Sequence, residues 1–383
     1  MPKTKPILFH QVIGIIGGGQ LGRMMAIAAK YMGYRVIVLD PTPDCPTAQV
    51  ADHQIVAAYD DLEAIKELAE KVDVVTYEFE NVDLQAAQFL EEKGILPQGA
   101  NSLRVTQDRE VEKDMIRQAN QPVAPYAIVK TPKELKEQAE KIGYPCVAKT
   151  CRGGYDGKGQ VKLTGEADLP EAEKMLANAG RLIIESWVSF DKEISVVFTR
   201  SIKGDIEFFP ISENIHREHI LHVTLAPGRV SRSLEEKARS AAAAIADELN
   251  VVGTFAIEMF VAQDDILINE LAPRPHNSGH YTIEACDVSQ FEQHIRAICQ
   301  LPLVPVHTHK GAVMVNLLGK DIDPFFTRLE DFSAAHIHMY GKKENQPLRK
   351  MGHVTFIGDN VLSIYESLKA KKLIQEIATT SEK

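Results

Sequence analysis

The sequence is poor in cysteine, and its cysteines show neither disulfide nor metal-ribbon spacing. Five cysteines occur among 383 residues, so their number is odd, and no C-x-x-C pair is present. A disulfide framework uses an even set, and a zinc ribbon uses closely spaced pairs. We therefore expect reduced thiols, as in a cytoplasmic protein.

Long apolar runs and an excess of positive charge are also missing. No run approaches the roughly 18 apolar residues that cross a bilayer. The N-terminal stretch lacks the long apolar region and cleavage site of a signal peptide. A formal net charge of −10 argues against a general nucleic-acid binder. A few local Lys and Arg side chains can still form a cleft for small anionic substrates, so we expect a globular protein with small-molecule partners.

Short apolar segments alternate with helical patterns in the N-terminal part of the chain. This alternation predicts a parallel, doubly wound sheet. The predicted strands are 12–16, 35–39, 55–58, 72–78 and 95–98, and the predicted helices run from the first glycine turn to about 32, then over 61–70 and 83–93.

The pattern changes near residue 104. A charged helix is predicted at 107–119, a smaller α/β unit follows, and the segment 182–275 is rich in strands with one long helix at 233–249. We therefore predict a mixed α/β and α+β protein. Its predicted units are 1–105, 106–305 with a small subdomain at about 120–190, and 306–383.

A glycine-rich turn follows the first strand. Gly17, Gly19 and Gly22 fit G-x-G-x-x-G between a strand and a helix, and Asp40 ends the second strand. Free backbone N–H groups at such a turn bind phosphate, and an acidic residue there can hold a dinucleotide ribose. A tight strand-to-helix turn also selects glycine. Dinucleotide binding, another phosphate and a purely structural turn therefore all remain open.

A second glycine-rich segment, 149–160, follows the strand PCVAK. It contains four glycines and three cationic side chains, but it does not fit G-x-x-x-x-G-K-[ST]. Glycines let the backbone approach a polyphosphate, and Lys149 and Lys158 can neutralise it. The pattern favours a phosphate loop over a hairpin tip with solvated charges.

Two glutamates are predicted to face each other across a hairpin. If residues 263–265 form its loop, Glu258 lies opposite Glu270. Like charges directly opposite destabilise a sheet, and the two strands are otherwise apolar. A divalent cation resolves the conflict, because Mg²⁺ prefers carboxylate and phosphate oxygens. A solvated outer face, or pairing with Arg274 or another base, is the alternative.

These features in this order resemble the ATP-grasp superfamily of ligases. Lys149, the glycine loop, Glu185, Glu193, and then Glu258 and Glu270 follow the order of its ATP-binding elements. Within that superfamily the chain resembles the family of 5-(carboxyamino)imidazole ribonucleotide synthases of purine biosynthesis, over nearly its whole length. The segments that carry this resemblance are IGGGQLGRM, TYEFEN, QDR, GGYDGKGQ, NELAPRPHNSGHYTIEAC and LRKMGH.

The resemblance implies a fold and a reaction. The three predicted units become a Rossmann-like pre-ATP-grasp domain, an ATP-grasp domain with a lid, and a small C-terminal domain. ATP would phosphorylate bicarbonate, and the carboxyphosphate, or CO₂ released from it, would carboxylate the exocyclic amine of 5-aminoimidazole ribonucleotide. Mg²⁺, or Mn²⁺ in its place, would be the metal cofactor, ATP a cosubstrate, and the assembly a cytoplasmic homodimer.

The resemblance also implies sets of contacting residues. Glu258 and Glu270 would hold the metal. The residues expected to bind ATP are Arg109, Lys149, Gly154, Tyr155, Asp156, Gly157, Lys158, Gly159, Gln160, Glu185, Ser186, Trp187, Val188, Glu193, His216, Asn269 and Glu270. The catalytic residues expected around bicarbonate and the amine are Tyr155, Asp156, Arg274 and His276. The residues expected to hold the ribonucleotide are Gln20, Leu21, Glu80, Asn277, Ser278, Lys342, Arg349 and Lys350.

Some alternatives stay open at this point. His276 is a reasonable proton acceptor, or a hydrogen-bonded structural histidine after Pro275. Ala272 stands where many ATP-grasp enzymes carry an Asn ligand, which leaves the full metal shell undetermined. A His triplet at 216, 219 and 222 drifts around a helix and does not predict zinc. The alternatives to the carboxylating ligase are a sister purine ligase that uses formate or glycine, an NAD-dependent dehydrogenase, and a non-catalytic nucleotide-binding module.

Overall fold

The computed structural model describes residues 5–154 and 159–374. Its strands are Val12–Ile16 (β1), Arg35–Leu39 (β2), His53–Ile55 (β3), Val74–Tyr77 (β4), Tyr126–Val129 (β5), Cys146–Thr150 (β6), Gln160–Leu163 (β7), Leu182–Ser186 (β8), Lys192–Arg200 (β9), Ile206–Phe208 (β10), Ser212–Arg217 (β11), Ile220–Ala226 (β12), Gly253–Ala262 (β13), Asp265–Ala272 (β14), Gly311–Leu318 (β15), Ala335–Met339 (β16) and Lys350–Gly358 (β17).

None of the α-helices of these residues is long and apolar enough to cross a membrane. They are Gln20–Tyr31 (α1), Leu62–Lys71 (α2), Leu84–Glu92 (α3), Gly99–Thr106 (α4), Arg109–Gln118 (α5), Pro132–Ile142 (α6), Leu169–Ala179 (α7), Arg232–Leu249 (α8), Thr282–Ala285 (α9), Gln290–Ile298 (α10), Ile322–Thr327 (α11) and Val361–Ala370 (α12).

The N-terminal sheet is parallel, with strand order β3-β2-β1-β4. Its strands are apolar runs because helices cover both faces: Ile13 and Ile15 pack with α1 and α10, whereas Ile16 packs with α2 and α3. The predicted doubly wound sheet is therefore confirmed. The predicted strand at 95–98 is wrong. Pro97 has no N–H to donate to a strand ladder, and α4 begins directly after this segment.

A smaller antiparallel sheet, β5-β8-β6-β7, is covered by α6 and α7. It lies within the segment predicted as a small subdomain, at about 120–190, and carries both ends of the second glycine loop. β6 and β7 are neighbours, so the chain leaves the sheet after Thr150 and re-enters at Gln160.

The largest sheet has the order β14-β13-β9-β11-β12-β15-β17-β16, with β10 paired to β9. Helices α5 and α8 cover the end formed by β9, β13 and β14, where Ile245, Ile257 and Ile268 are buried together. Pairing of β12 with β15 carries this sheet across residue 305, so its hydrogen bonds do not end at the predicted unit boundary.

The segment around the three histidines is a hairpin and not a helix. β11 ends at Arg217 and β12 begins at Ile220. Glu218 and His219 have φ values of 49° and 62°, which is the conformation of a two-residue hairpin turn. His216 and His222 therefore lie on different strands, and sequence spacing on a helix does not describe them.

Candidate active site

The predicted pairing of Glu258 with Glu270 is confirmed, but the predicted loop is wrong. β13 and β14 are joined by only two residues, so Ala262 pairs with Asp265 and Met259 with Ile268. That register would place Glu258 opposite Asn269. A β-bulge between Glu258 and Met259 leaves Asn269 unpaired and brings Glu270 opposite Glu258. The bulge thus places both carboxylates at one point of the sheet.

Each of these two carboxylates has its own neighbour, an arginine for one and a histidine for the other. Glu270 lies 3.4 Å from Nη1 of Arg109, and Glu258 lies 3.3 Å from Nε2 of His276. Burial opposes ionisation of Glu258, but the hydrogen bond and charge of His276 outweigh it and hold the Glu258 pKa below its usual value. Each carboxylate is therefore held by a different side chain.

Buried lysines and a glutamate form the wall beside Glu270. Nζ of Lys149 lies 3.0 Å from Glu185 and Nζ of Lys113 lies 3.8 Å from it. Burial alone would raise the pKa of Glu185, but these two lysines lower it to about 2. Lys113 also donates to the main-chain carbonyl of the bulged Asn269 at 2.9 Å. Cations thus surround this side of the cleft, as polyphosphate binding requires.

The glycine loop is closed at its base by main-chain and ionic contacts. The Thr150 N–H donates to the Gly159 carbonyl at 2.8 Å, and Gly159 has a φ of 73°, where a Cβ would lie 2.7 Å from the Thr150 hydroxyl. Arg152 bonds Asp108, the N-cap of α5, at 2.8 Å. Gly154 and Gln160 flank the loop. The predicted residues Tyr155, Asp156, Gly157 and Lys158 lie outside the described residues.

The segment after β8 lies beside this lysine wall. The N–H groups of Ser186 and Trp187 donate to the carbonyls of Pro125 and Pro145, and Lys162 lies over the Trp187 ring at 3.8 Å. One oxygen of Glu185 is buried and has no hydrogen-bond partner among the described residues. Three of the predicted ATP contacts, Glu185, Ser186 and Trp187, thus lie together beside the lysine wall, and Val188 follows them in the chain.

Glu193 and His216 form a partly buried pair on β9 and β11. Their carboxylate and Nδ1 atoms lie 2.5 Å apart. Burial would lower the pKa of His216, but the hydrogen bond and charge of Glu193 raise it. The charge of Glu258 acts in the same direction, which places this predicted pair close to the two facing glutamates.

The opposite wall of the cleft follows β14. Arg274 donates through Nε to Glu80 at 2.8 Å and through Nη2 at 3.5 Å. Nδ1 of His276 contacts the Ser278 hydroxyl at 2.8 Å. The side-chain amide of Asn277 is buried and makes no hydrogen bond among the described residues. Predicted catalytic and ribonucleotide-binding residues are thus neighbours here, and Asn277 retains unused donors and acceptors.

The C-terminal segment around 341–350 packs against the loop that follows β2. The Gln49 amide donates to the Gly341 carbonyl at 2.9 Å, and Lys342 donates to the Lys350 carbonyl at 2.7 Å. The charge of Lys350 acts on Glu258 and His216.

This packing brings some of the predicted ribonucleotide residues together and not others. The charge of Lys342 acts on Glu78, which accepts N–H groups from the turn that contains Gln20. Leu21 is a buried core residue, and Arg349 donates to the Glu344 carbonyl at 3.2 Å.

The first glycine turn is occupied by the chain's own carboxylates. Gly18 N–H donates to Asp40 at 2.7 Å, and the N–H groups of Gly19 and Gly22 donate to Glu78, the latter at 2.7 Å. Tyr59 also donates its hydroxyl to Asp40 at 2.6 Å. These acidic groups take the positions that a pyrophosphate and a ribose would need. The geometry therefore argues against the dinucleotide interpretation.

Comparison with known proteins finds three matching domains along the chain. It matches a ribonucleotide synthetase preATP-grasp domain over residues 10–107, an ATP-grasp domain over 114–291 and a phosphoribosylaminoimidazole carboxylase C-terminal domain over 312–367. It is 52% identical over 356 residues to an N5-carboxyaminoimidazole ribonucleotide synthase of Bacillus subtilis, covering 92% of this chain and 93% of that protein. The chain belongs to the N5-carboxyaminoimidazole ribonucleotide synthase family.

Solved structures of this synthase family agree with the fold. An ADP complex of an N5-carboxyaminoimidazole ribonucleotide synthetase has a TM-score of 0.93 at 53% identity, covering 97% of this chain and 98% of that one. An Aspergillus clavatus enzyme in complex with ADP and 5-aminoimidazole ribonucleotide has a TM-score of 0.88 at 30% identity, covering 94% and 97%. The predicted ATP-grasp fold, the family and an ATP-dependent ligase are confirmed.

Sequence reasoning overlooked three buried charges in this synthase site. Glu112 accepts the Leu271 N–H at 2.9 Å, and burial together with the charge of Glu270 raises its pKa. Lys113 and Glu78, described above, are the other two. The sequence places Glu112 and Lys113 in the predicted charged helix at 107–119 and gives neither a role. One signal for their burial is present in the sequence. Glu112 and Lys113 are adjacent opposite charges on a helix that also carries apolar residues for the core.

Ala272 does not supply a metal ligand. It pairs with Ala256 and packs in an apolar cluster with Val197. Among residues 5–154 and 159–374, no group of three or more His, Cys, Asp or Glu side chains is arranged to hold a metal ion. The two facing glutamates thus depend on other donors to complete any metal shell.

Glu185 should make stability depend on pH in acid. Its folded pKa of about 2 is below the ordinary 4.5, so its contribution is present above about 4.5 and is lost as pH falls toward about 2. We expect Glu185→Gln to lower the free energy of unfolding by about 3 kcal/mol at neutral pH, because Lys113 and Lys149 lose a buried partner. Urea titration at neutral pH and near the acid limit of folding measures this difference.

The matched control is Glu137→Gln on α6, whose side chain is 55% exposed and which should change stability by less than about 0.5 kcal/mol. A Glu185→Gln deficit that stayed undiminished as the pH was lowered would contradict the assignment.

The occupied glycine turn predicts that NADH does not bind. Isothermal titration should give no heat with NADH and saturable heat with Mg·ATP, because Asp40 and Glu78 already accept the turn's N–H groups. Saturable NADH binding that Asp40→Asn abolished would restore the dinucleotide interpretation.

Proposed function

We propose that this cleft carries out the ATP- and bicarbonate-dependent carboxylation of 5-aminoimidazole ribonucleotide on its exocyclic amine. A bicarbonate oxygen attacks the γ-phosphorus of ATP, and ADP leaves. The amine then attacks the carbon of carboxyphosphate, or of CO₂ released from it, and phosphate leaves. The products are the carbamate, ADP and phosphate. The ADP and 5-aminoimidazole ribonucleotide in the Aspergillus clavatus complex support this choice of substrates.

One observation carries the proposal: Glu258 touches both halves of the cleft. It lies opposite Glu270 on the ATP side and 3.3 Å from His276 on the amine side. A reactive acyl phosphate formed beside one residue is then within reach of an amine held beside the other. This closeness matters because carboxyphosphate reacts readily with water.

On the ATP side, the cations would bind the phosphates and stabilise charge on the transferring group. Lys149 and Arg109 point into this half, and Lys113 holds the Asn269 carbonyl that shapes it. Residues 185–188, together with Glu193 and His216, would contact the nucleoside part of ATP. Tyr155, Asp156, Gly157 and Lys158 remain predicted contacts of the loop that covers the phosphates.

On the amine side, Arg274 would bind the carboxylate being transferred, because Glu80 holds its guanidinium in place. His276 would take the proton that the amine releases. Asn277, Ser278 and the cationic segment that contains Lys342, Arg349 and Lys350 would hold the ribonucleotide with Gln20. Leu21 stays a predicted contact through its main chain, because its side chain packs in the core.

Glu258 and Glu270 are suited to hold Mg²⁺, with Mn²⁺ as a substitute. They are carboxylates that face each other at one point of a sheet, and Mg²⁺ commonly takes one or two carboxylates plus substrate phosphates. When bound, the ion would neutralise charge on the β- and γ-phosphates. Phosphate oxygens and water complete such a shell, which agrees with Ala272 in place of a third ligand.

We propose a cytoplasmic homodimer that binds small molecules and not nucleic acid, with units at 1–105, 106–305 and 306–383. The net charge of −10 supports small-molecule over nucleic-acid binding. The five buried free thiols support a reducing compartment such as the cytoplasm. Sedimentation velocity measures the assembly directly.

The substrate assignment predicts that 5-aminoimidazole ribonucleotide stimulates ADP release in the presence of bicarbonate. A coupled assay for ADP should show this stimulation, and formate or glycine in place of bicarbonate should not support it. Stimulation by formate or glycine with another amine would indicate a sister ligase. ATP binding without turnover under any of these conditions would indicate a non-catalytic module.

The metal assignment predicts that Glu258→Gln and Glu270→Gln each lower kcat at least about 100-fold, because charge on the transferring phosphoryl group is no longer offset. The matched control is Asp265→Asn at the other end of β14, whose side chain is 73% exposed. Its turnover should stay within about twofold of wild type. Circular dichroism checks the fold, and a folded Glu258→Gln variant with near-normal kcat would contradict the assignment.

A further inference from the structure

The side chain of Gln290 holds the main chain of His276 on both sides. Its Oε1 accepts the His276 N–H at 2.9 Å, and its Nε2 donates to the His276 carbonyl at 2.7 Å. Gln290 is completely buried, so water does not compete for these bonds. A single amide thus fixes the position of one peptide unit on each side of the His276 side chain.

Close packing around the Gln290 amide holds it in a single position. A Cβ on Gly279 would lie 2.5 Å from Oε1 of Gln290, so the amide packs directly against that glycine. The Gln290 N–H donates to the Thr282 hydroxyl at 3.0 Å, and that hydroxyl donates to the Gly279 carbonyl at 2.6 Å. The turn that follows His276 and the start of α10 are therefore held as one unit.

This unit is also tied to the strand that carries Glu258. The Thr254 hydroxyl donates to the Gln290 carbonyl at 2.9 Å, and Thr254 and Glu258 both belong to β13. Gln290 therefore sets where the His276 ring lies relative to Glu258, although it is separate from both side chains.

The amide also reaches a second buried histidine. Nε2 of Gln290 lies 3.3 Å from Nδ1 of His280. Burial lowers the pKa of His280 well below its usual value, so this ring is neutral and its nitrogen can accept. A neutral donor-and-acceptor group suits these three contacts, whereas a carboxylate would face the His276 carbonyl with another acceptor.

We propose that Gln290 is a positioning residue for the carboxylation step, because its amide holds the main chain of His276 and so fixes the ring beside Glu258, between the two halves of the cleft. The proposal rests on the function proposed above. Loss of the amide would leave the ATP side, including Lys149 and Glu185, unchanged. Carboxyphosphate would still form, but more of it would be lost to water before the amine reacts.

The chain offers a closely matched control in Gln293 on the same helix. Gln293 is also completely buried, and its amide holds Val304 in the same way, with Nε2 2.5 Å from the carbonyl and the N–H 3.1 Å from Oε1. Val304 has no predicted part in the site. Gln290→Met and Gln293→Met therefore each remove one pair of amide-to-main-chain hydrogen bonds. The pair lost in Gln290→Met holds His276, and the pair lost in Gln293→Met holds Val304.

The test compares Gln290→Met, Gln290→Asn and Gln293→Met with wild type. Each folded protein is assayed for bicarbonate-dependent ADP release and for consumption of 5-aminoimidazole ribonucleotide, and its Tm is measured. Gln290→Asn keeps an amide that is one methylene too short for both bonds, so a folded variant is available if Gln290→Met is unstable.

We expect both Gln290 variants to lower kcat for the ribonucleotide at least about tenfold with KM for ATP within about twofold, because a displaced ring lowers the rate without altering nucleotide binding. ADP released per ribonucleotide consumed should rise in both Gln290 variants. Gln293→Met should lower Tm similarly and leave that ratio at the wild-type value.

A wild-type ratio in a folded Gln290 variant, or an equal rise in Gln293→Met, would overturn the positioning role. Wild-type protein without amine-stimulated turnover would instead overturn the proposed function, and this proposal with it.

Discussion

The like-charged pair Glu258 and Glu270 is the constraint on which the rest of the cleft depends. A β-bulge at Asn269 forces the two carboxylates opposite each other, in a hairpin whose other side chains are largely buried. Such a pair destabilises a sheet unless each member has a partner of its own. Arg109 is that partner for Glu270, and the His276 ring is that partner for Glu258. The pair thereby separates a phosphate-binding half from an amine-binding half.

The sequence was sufficient for most elements and for the pair itself. Apolar runs bounded by glycine and proline predicted β1, β2 and the N-terminal sheet, because burial on both faces leaves a simple pattern. The predicted opposition of Glu258 and Glu270 was correct although the loop was wrong. A shorter loop shifts the register by one residue, and the bulge shifts it back. The spacing of apolar residues reveals neither the shorter loop nor the bulge, because a bulge depends on local backbone geometry.

The supporting polar groups could not be predicted, because their partners are remote in sequence. Glu78 fills the glycine turn from 56 residues away, and Lys113 reaches the Asn269 carbonyl from 156 away. In the sequence, Glu78 is one acidic residue among many and Lys113 belongs to a charged helix. Only the fold shows that both are buried. A hairpin at 212–226 was overlooked for a related reason, since its polar residues face a site and interrupt the apolar alternation.

The two halves of the cleft use different kinds of support, and the chemistry explains the difference. The ATP half is built from ion pairs such as Lys149 with Glu185, because a polyphosphate requires fixed positive charge. The amine half must contain a ring that can accept a proton, and further carboxylates beside His276 would favour its charged form. A neutral amide from Gln290 holds the main chain of His276 without adding charge. Glu258 then remains the one charged contact of the ring that the described residues show, and it is shared with the half where phosphate is transferred.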